Sequence, residues 1–300
     1  MLLIIGCASD NPQQSPSEST SVDIDDDGTD IEASSQPTYT GDLYIIDTHA
    51  HILPKDKEQN DAFLASLVAA AKNAGVSQIM LGLHARHEPD RGPTYSEEHD
   101  VWVLEAAEKY PDFIIPMLGG FDPADSDAVS YVEEQLKTGK WKGIGELDLR
   151  NEVKKTTTPM NDPTMMKIYK LAATYDVPVM IHYSFCYETD CDSGKAEYEE
   201  ALEENPETIF IHAHNCPDEM MKKYANLYCE PENIASMLPD VTYIDRVILG
   251  TDVQHDDLKV QKNYNYEEFI AAVREKIETL DAEDAEKVAH GTAEEVFKLS

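Results

Sequence analysis

Two histidines stand two residues apart directly after an apolar run near the start of the chain. The text LYIIDTHAHI places Asp47, His49 and His51 after residues 43–46. Along a strand, side chains at i and i+2 point to the same face about 7 Å apart, so both imidazoles could reach one ion. A single histidine at the end of a buried strand is more often a hydrogen-bonded core residue, so this interpretation depends on further ligands elsewhere in the chain.

Four more apolar runs end in side chains that could complete such a site. Their texts are GIGELDLR, VMIHYS, FIHAHNC and ILGTDVQH. Imidazole nitrogens and carboxylate oxygens in this mixture suit zinc, iron or manganese, and they differ from the donors of a thiolate-rich site. We therefore expect one or two divalent ions, zinc first with manganese or iron as alternatives. The side chains that end these runs are Glu146, His182, His212, His214 and Asp252.

Eight strand-like runs alternate with helical patterns from residue 43 onward, and the predicted helices include DAFLASLVAAAKNAG, EYEEALEENP and ENIASMLPD. The alternation predicts a parallel sheet, and eight units predict an α/β fold, a single-domain (β/α)8 TIM barrel. A doubly wound open sheet is the alternative, because periodicity does not report closure. In a barrel the active site lies at the C-terminal ends of the strands, where the candidate ligands fall. The runs are LYIID, VSQIMLGL, FIIPMLGG, KGIGELDL, VPVMIHY, TIFIHAH, NLYCE and RVILGTD.

The ordered set of an HxH pair followed by Glu, His, His and Asp on successive strands resembles the amidohydrolase superfamily of metal-dependent hydrolases. The local texts are similar to its amidohydrolase-2 branch: IDTHAHI, GGFDP, KGIGEL, PVMIH, FIHAH, LGTD and HGTAEEVFKL. The resemblance implies His214 as the functional histidine of the sixth strand, with His212 packed one layer deeper. The branch often has Gly-Gly after that histidine, where this chain has Asn215-Cys216. The metal ligands that the resemblance implies are His49, His51, Glu146, His182 and Asp252.

The resemblance also implies an activity, the cleavage of an amide, ester or lactone bond of a small molecule by metal-activated water. Asp252 would take the proton of the attacking water, and His214, or His182 where it is not a ligand, would polarise the scissile carbonyl. The same branch contains decarboxylases, and GIGELD also resembles a strand of TatD-like deoxyribonucleases. A binding lipoprotein with a retained barrel is the non-enzymatic alternative, which the intact ligand set disfavours.

Polar residues after the second, fourth and fifth strands are candidates for contact with the substrate. Arginine is scarce in the chain, so Arg86 or Arg150 meeting a substrate carboxylate is one interpretation. Tyr183 is the third candidate, and His84 lies in the same loop as Arg86. The alternative is that both arginines are solvated surface charges.

The charge of the chain bears on its partners. There are 59 acidic residues against 24 Lys and Arg, which gives a formal net charge of −35 at pH 7. Such a charge repels polyanions, so we expect a small-molecule substrate and no nucleic-acid partner. The pattern does not indicate an oligomeric state.

The first 41 residues differ in composition from the remainder. Residues 1–7, MLLIIGC, resemble the end of a lipoprotein signal whose Cys7 carries lipid. Residues 8–41 are rich in Ser, Asp, Thr and Pro, which predicts a disordered tether before a barrel at 42–300. We therefore expect an extracytoplasmic protein held at the membrane only through a lipid anchor, with a cytoplasmic location as the alternative.

The other four cysteines are even in number. In an oxidising compartment they could pair, and Cys186 and Cys191 are close enough in sequence for a small loop bridge. Free thiols are the alternative. The remaining two are Cys216 and Cys229.

Overall fold

A parallel sheet forms the centre of the computed structural model. The structure describes residues 43–53, 57–88, 90, 92–93, 95–231, 241–254 and 265–299. The strands in chain order are β1 (Ile45–His51), β2 (Val76–Gly82), β3 (His87–Glu88), β4 (Gly92–Pro93), β5 (Ile114–Leu118), β6 (Gly143–Asn151), β7 (Thr156–Thr157), β8 (Val179–Tyr183), β9 (Phe210–His214), β10 (Leu227–Pro231) and β11 (Val253–Gln254).

Helices follow most of the long strands and cover the outside of the sheet. In chain order they are α1 (Lys57–Asn73), α2 (Glu97–Lys109), α3 (Ala128–Lys137), α4 (Pro163–Tyr175), α5 (Asp192–Glu204), α6 (Asp218–Lys223), α7 (Tyr266–Ile277), α8 (Ala282–Glu286) and α9 (Thr292–Phe297). A 3-10 turn spans Val241–Arg246 and a π turn spans Lys287–Gly291.

The sheet closes on itself through the segment that ends in β11. The barrel strands follow the order β10-β9-β8-β6-β5-β2-β1-β11, and each neighbouring pair is parallel. Ile248 N–H donates to the Cys229 carbonyl of β10 at 2.9 Å, and Thr48 N–H of β1 donates to the Leu249 carbonyl at 2.9 Å. Residues 247–254 therefore lie between β10 and β1. The predicted eight-stranded TIM barrel is confirmed.

Two hydrophobic layers hold the barrel, one inside the strands and one between strands and helices. The inner layer takes alternate residues from the strands, and three side chains of α9 pack against it. A Cβ at Gly143, the first residue of β6, would lie 3.1 Å from Phe297 Cε1, so α9 covers the N-terminal end of the barrel and leaves the C-terminal end to the polar residues. The inner members are Ile46, Met80, Ile115, Met117, Met180, Ile211, Ala213, Ile248, Ala293, Val296 and Phe297.

The helices confirm the sequence pattern, but two of them begin earlier than expected. Helix α1 begins at Lys57, four residues before the predicted DAFLASLVAAAKNAG. Helix α5 begins at Asp192, five residues before the predicted text EYEEALEENP, because its first turn has polar residues and Gly194 and so lacks an apolar period. Asp190 accepts a hydrogen bond from Ser193 N–H at this end. The helix predicted from ENIASMLPD falls on residues 232–240, outside the described residues. None of the helices in the described ranges is long and apolar enough to cross a bilayer.

Two disulfides lie in the described part of the chain. Cys186 bonds Cys191, the close pair that the sequence suggested, and Cys216 bonds Cys229 across 13 positions. A cross-link that closes a loop of this size stabilises a fold by about 2–4 kcal/mol. The second bond joins the loop after β9 to β10.

Candidate metal centre

The first strand delivers two buried histidines to the C-terminal end of the barrel. His49 and His51 are 2% and 1% exposed, and their Nε2 atoms lie 2.8 Å apart. Asp47 anchors this strand end, since it accepts hydrogen bonds from Thr251 N–H at 3.0 Å and the Tyr266 hydroxyl at 2.9 Å. Burial raises the pKa of Asp47 to about 6, although these hydrogen bonds oppose the rise. The two imidazoles are therefore held rigidly and face a common point.

Two carboxylates complete a four-residue group around that point. Glu146 Oε2 lies 3.6 Å from His49 Nε2 and 3.5 Å from His51 Nε2. Asp252 Oδ1 lies 3.1 Å from His51 Nε2 and 3.7 Å from His49 Nε2. One donor atom from each of the four residues fits within 4.8 Å of the others. This mixture of nitrogen and oxygen donors matches the preferences of zinc and manganese.

Asp252 differs from the other three members in exposure and backbone. Its side chain is 35% exposed, against 1% for His49, His51 and Glu146. Its φ of 51° lies in the left-handed region, which is rare for a non-glycine residue and is concentrated at functional sites. Burial opposes ionisation, but the neighbouring imidazoles of His51 and His49 hold the pKa of Asp252 well below its usual range. Asp252 is therefore the ionised carboxylate that a substrate can reach.

A second group shares Glu146 and lies on its other oxygen. His214 Nε2 is 3.0 Å from Glu146 Oε1, and His182 Nδ1 is 3.4 Å from the same atom. Burial opposes protonation of His214, but the hydrogen bond and charge of Glu146 raise its pKa to about 9. Burial likewise opposes ionisation of Glu146, yet His49 and the hydrogen bonds from His182 and His214 hold its pKa well below the usual value.

Two further side chains touch the centre. His84, from the loop after β2, stacks on His51 with ring centroids 3.7 Å apart, and its Nδ1 lies 2.7 Å from Glu146 Oε2. Glu230, the fourth residue of β10, is 1% exposed and places Oε2 2.7 Å from His49 Nδ1. The sequence interpretation missed Glu230, although it ends the apolar run NLYCE just as the other site residues end theirs.

The family model described as Amidohydrolase (Amidohydro_2) matches residues 46–299, almost the whole of the barrel. The chain is a member of this amidohydrolase family. The match includes both histidines of β1 and Asp252 at the last strand. The predicted membership of the amidohydrolase superfamily is confirmed.

Solved structures share the fold of this amidohydrolase at low identity. One is 5-carboxyvanillate decarboxylase from Novosphingobium aromaticivorans, complexed with manganese and 4-hydroxy-3-methoxy-5-nitrobenzoic acid (TM-score 0.59, 16% identity, 88% of this chain and 99% of that chain). Another is 2,6-dihydroxybenzoate decarboxylase from Rhizobium (TM-score 0.59, 12% identity, 85% and 99%). A third is a probable 2-pyrone-4,6-dicarboxylic acid hydrolase from Acinetobacter baumannii with citric acid bound (TM-score 0.58, 14% identity, 86% and 100%). No curated protein sequence matches the chain.

The two histidines of the sixth barrel strand of this amidohydrolase face different ways. His212 points to the helices, where the Tyr198 hydroxyl lies 3.0 Å from its Nδ1 and the Phe185 ring stacks on it at 5.2 Å. His214 has a φ of 71°, so the strand turns there and its ring joins the group around Glu146. Regular strand alternation would have put both rings on one face. The left-handed backbone separates them.

The three predicted substrate contacts of the amidohydrolase all have partners within the protein. Arg150 donates to the Asp190 carbonyl at 2.9 Å and lies 3.4 Å from Glu197 Oε2. Tyr183 is 2% exposed and donates its hydroxyl hydrogen to Glu197. Arg86 Nε lies 3.1 Å from Glu88 Oε1. Their role in substrate binding stays a prediction.

A cavity of about 190 Å³ lies near the His84 side of the metal centre. The Tyr95 ring lines it and is 6.4 Å from the His84 ring, centroid to centroid. Its wall combines aromatic rings with carboxylates. The other lining residues are Pro93, Ser96, Glu97, Gly120, Phe121, Asp122, Asp125, Asp127, Ala128 and Tyr131.

Proposed function

We propose that the protein is a metal-dependent hydrolase that cleaves an amide, ester or lactone bond of a small molecule. The observation that carries the proposal is the four-residue group of His49, His51, Glu146 and Asp252, whose donor atoms converge within 4.8 Å. Three members are buried, and the fourth is an ionised carboxylate that is partly exposed. Membership of the amidohydrolase family supports the same kind of chemistry.

The residues fit a divalent ion. Asp252 Oδ1 is a buried atom without a hydrogen bond of normal geometry to any described residue, as expected of an atom that faces an ion. Zinc suits this set of two nitrogen and two oxygen donors, with manganese or iron as alternatives. A bound ion would supply Lewis acidity, which polarises a carbonyl and makes a bound water more acidic.

The protein side chains then divide the remaining work. Asp252 takes the proton of the attacking water and passes it to the leaving group, because it is the exposed carboxylate of the group. His214, at 17% exposure, lies on the opposite side of Glu146 and polarises the scissile carbonyl. Glu146 stays ionised between the two sides and holds both in register.

Decarboxylation is the second candidate. It is favoured by the fold shared with two decarboxylases, whose names describe aromatic acids as substrates. Both arginines that could meet a substrate carboxylate already pair with acids of this chain, Arg86 with Glu88 and Arg150 with Glu197. This is why hydrolysis ranks first.

A substrate panel tests the proposal. Metal-stripped protein and protein reloaded with zinc, manganese or iron would be incubated with esters, lactones, N-acyl amino acids, aromatic carboxylic acids and a phosphodiester. We expect hydrolysis of at least one ester, lactone or amide that depends on added metal. Release of carbon dioxide alone would favour decarboxylation, and cleavage of only the phosphodiester would favour the nuclease alternative. Tight metal binding with turnover of none would favour the binding-protein alternative.

We also propose an extracytoplasmic location with a lipid on Cys7. Two disulfides support it, since such bonds persist in oxidising compartments and are rare in the cytosol. Residues 1–42, which would carry the anchor and tether, lie outside the described residues. We expect the full-length protein in the membrane fraction and a Cys7→Ser form in the soluble extracytoplasmic fraction. Both forms in the cytosol would contradict this location.

A further inference from the structure

His49 and His182 each have one ring nitrogen that faces away from the centre. The partner of this nitrogen is a hydrogen-bond acceptor for His49, Glu230, and a hydrogen-bond donor for His182, the amide of Asn151. Neutral imidazole carries one N–H, and the nitrogen without hydrogen is the one that can bind a metal. A metal-binding histidine normally donates its other N–H to a carboxylate or carbonyl. The partners of His49 and His182 therefore report which of the two rings is prepared for an ion.

His49 is prepared. Its Nδ1 lies 2.7 Å from Glu230 Oε2, and an ionised carboxylate only accepts, so Nδ1 carries the hydrogen. The lone pair of Nε2 then faces the four-residue group. The contact requires a glycine at position 250, because a Cβ there would lie 2.6 Å from His49 Cβ and 2.8 Å from Glu230 Cδ. Gly250 leaves room for Glu230 to reach the ring.

The neutral ring of His182 has the opposite tautomer, with hydrogen on the nitrogen that faces Glu146. Asn151 Oδ1 accepts hydrogen bonds from Val153 N–H at 2.9 Å and Lys154 N–H at 3.1 Å, which identifies its other side-chain atom as the amide nitrogen. That nitrogen only donates, and it lies 3.0 Å from His182 Nε2. In the neutral ring the hydrogen is therefore on Nδ1, the atom that faces Glu146. A nitrogen that carries hydrogen has no lone pair for a metal.

Glu146 Oε1 has a hydrogen-bond partner on this side, since His214 Nε2 lies 3.0 Å from it, and His182 Nδ1 lies 3.4 Å from the same atom. Glu146 Oε2 faces His49 and His51 instead, with His84 Nδ1 2.7 Å away. The two groups that share Glu146 are thus chemically different, although their residue types are alike.

We infer that the centre holds one ion, in the group of His49, His51, Glu146 and Asp252, and that Asn151 keeps a second ion out of the group of Glu146, His182 and His214. Glu230 and Asn151 are the positioning residues that set this difference. The inference rests on the proposed metal-dependent function and adds the number of ions and the residues that decide it. It removes His182 from the ligands that the family resemblance implies and makes it a hydrogen-bond donor to Glu146.

The change Asn151→Asp tests the exclusion of the second ion. Aspartate has the same shape and still accepts from Val153 N–H and Lys154 N–H, but its other oxygen accepts from His182 Nε2. This moves the ring hydrogen to Nε2 and frees Nδ1. Metal content of protein saturated with zinc and then desalted is expected to rise from one ion per chain in the wild type to two in the variant. Asn161→Asp, the same charge change at a residue that contacts Glu200, is the control expected to bind one.

The outcomes separate this inference from the proposed function. Two ions in the wild type would overturn the inference and leave a metal-dependent hydrolase standing. One ion in both the wild type and Asn151→Asp would overturn the role of Asn151. A wild type that binds no ion would contradict the proposed function itself.

A pair of changes at Glu230 tests the proposed role of this residue as the acceptor of His49 Nδ1–H. Glu230→Leu removes the acceptor of His49 Nδ1–H, and loss of such a partner costs roughly 10–100-fold in metal affinity. Glu230→Gln keeps an acceptor oxygen and is expected to recover most of that loss. Zinc affinity would be measured by competition with a chromophoric chelator, and circular dichroism of the metal-free forms would establish that each is folded. Unchanged affinity in a folded Glu230→Leu form would overturn the role of Glu230.

Discussion

The double change His49→Ala and His51→Ala is expected to abolish stoichiometric metal binding. The two Nε2 atoms lie 2.8 Å apart and supply half of the donors in the proposed ion site. Loss of one outer partner of a ligand already costs roughly 10–100-fold in affinity, so loss of two ligands should cost more than about 100-fold. Elemental analysis of protein expressed with zinc supplied measures the effect, and metal-dependent turnover should disappear with it.

His87→Ala is the matched control for this experiment. His87 belongs to the same barrel end, but its side chain is 35% exposed and pairs with Asp122 at 2.8 Å, away from the metal group. It should keep the metal content of the wild type. Full metal content in the folded double variant would remove the ion from the site proposed here.

Asp252→Asn should keep the fold and much of the metal but lose turnover. An amide oxygen can still face the ion, but an amide cannot accept the proton of the attacking water. General acid–base catalysis contributes roughly 10²–10⁴-fold, and kcat is expected to fall by about that factor at saturating metal. The measurement is kcat on whichever substrate the panel identifies, with metal content determined on the same samples.

Asp112→Asn controls for the backbone at position 252. Asp112 has a φ of 61°, close to the 51° of Asp252, and both are non-glycine residues in the left-handed region. Asparagine tolerates this region, so neither change should strain the chain. A kcat for Asp252→Asn equal to that of the control would show that another group takes the proton.

The barrel and most of the candidate site could be predicted because both follow from local pattern. Apolar runs and helical periods mark the eight strands, and a barrel places whatever follows a strand at one end. His49, His51, Glu146, His214 and Asp252 all come together for this reason. Each of these site residues could therefore be predicted from the strand that precedes it in the sequence.

What could not be predicted depends on contacts between distant segments. Glu230 contacts His49, which is 181 positions away in the sequence, and no local sequence pattern around Glu230 predicts this contact. The pairing of Arg150 and Tyr183 with Glu197 depends on where α5 packs, which periodicity does not give. The amide of Asn151 determines a ring tautomer through a turn that only the folded loop forms.

The bond between Cys216 and Cys229 has a consequence for how the site opens. Cys216 follows His214 by two residues, and Cys229 directly precedes Glu230. Local openings of a protein occur in cooperative units, and a covalent tie merges segments that would otherwise open separately. The end of β9 that carries His214 and the strand β10 that carries Glu230 therefore open as one unit. An opening that displaces Glu230 from His49 would therefore also displace His214 from Glu146, so the oxidised protein would lose both contacts together.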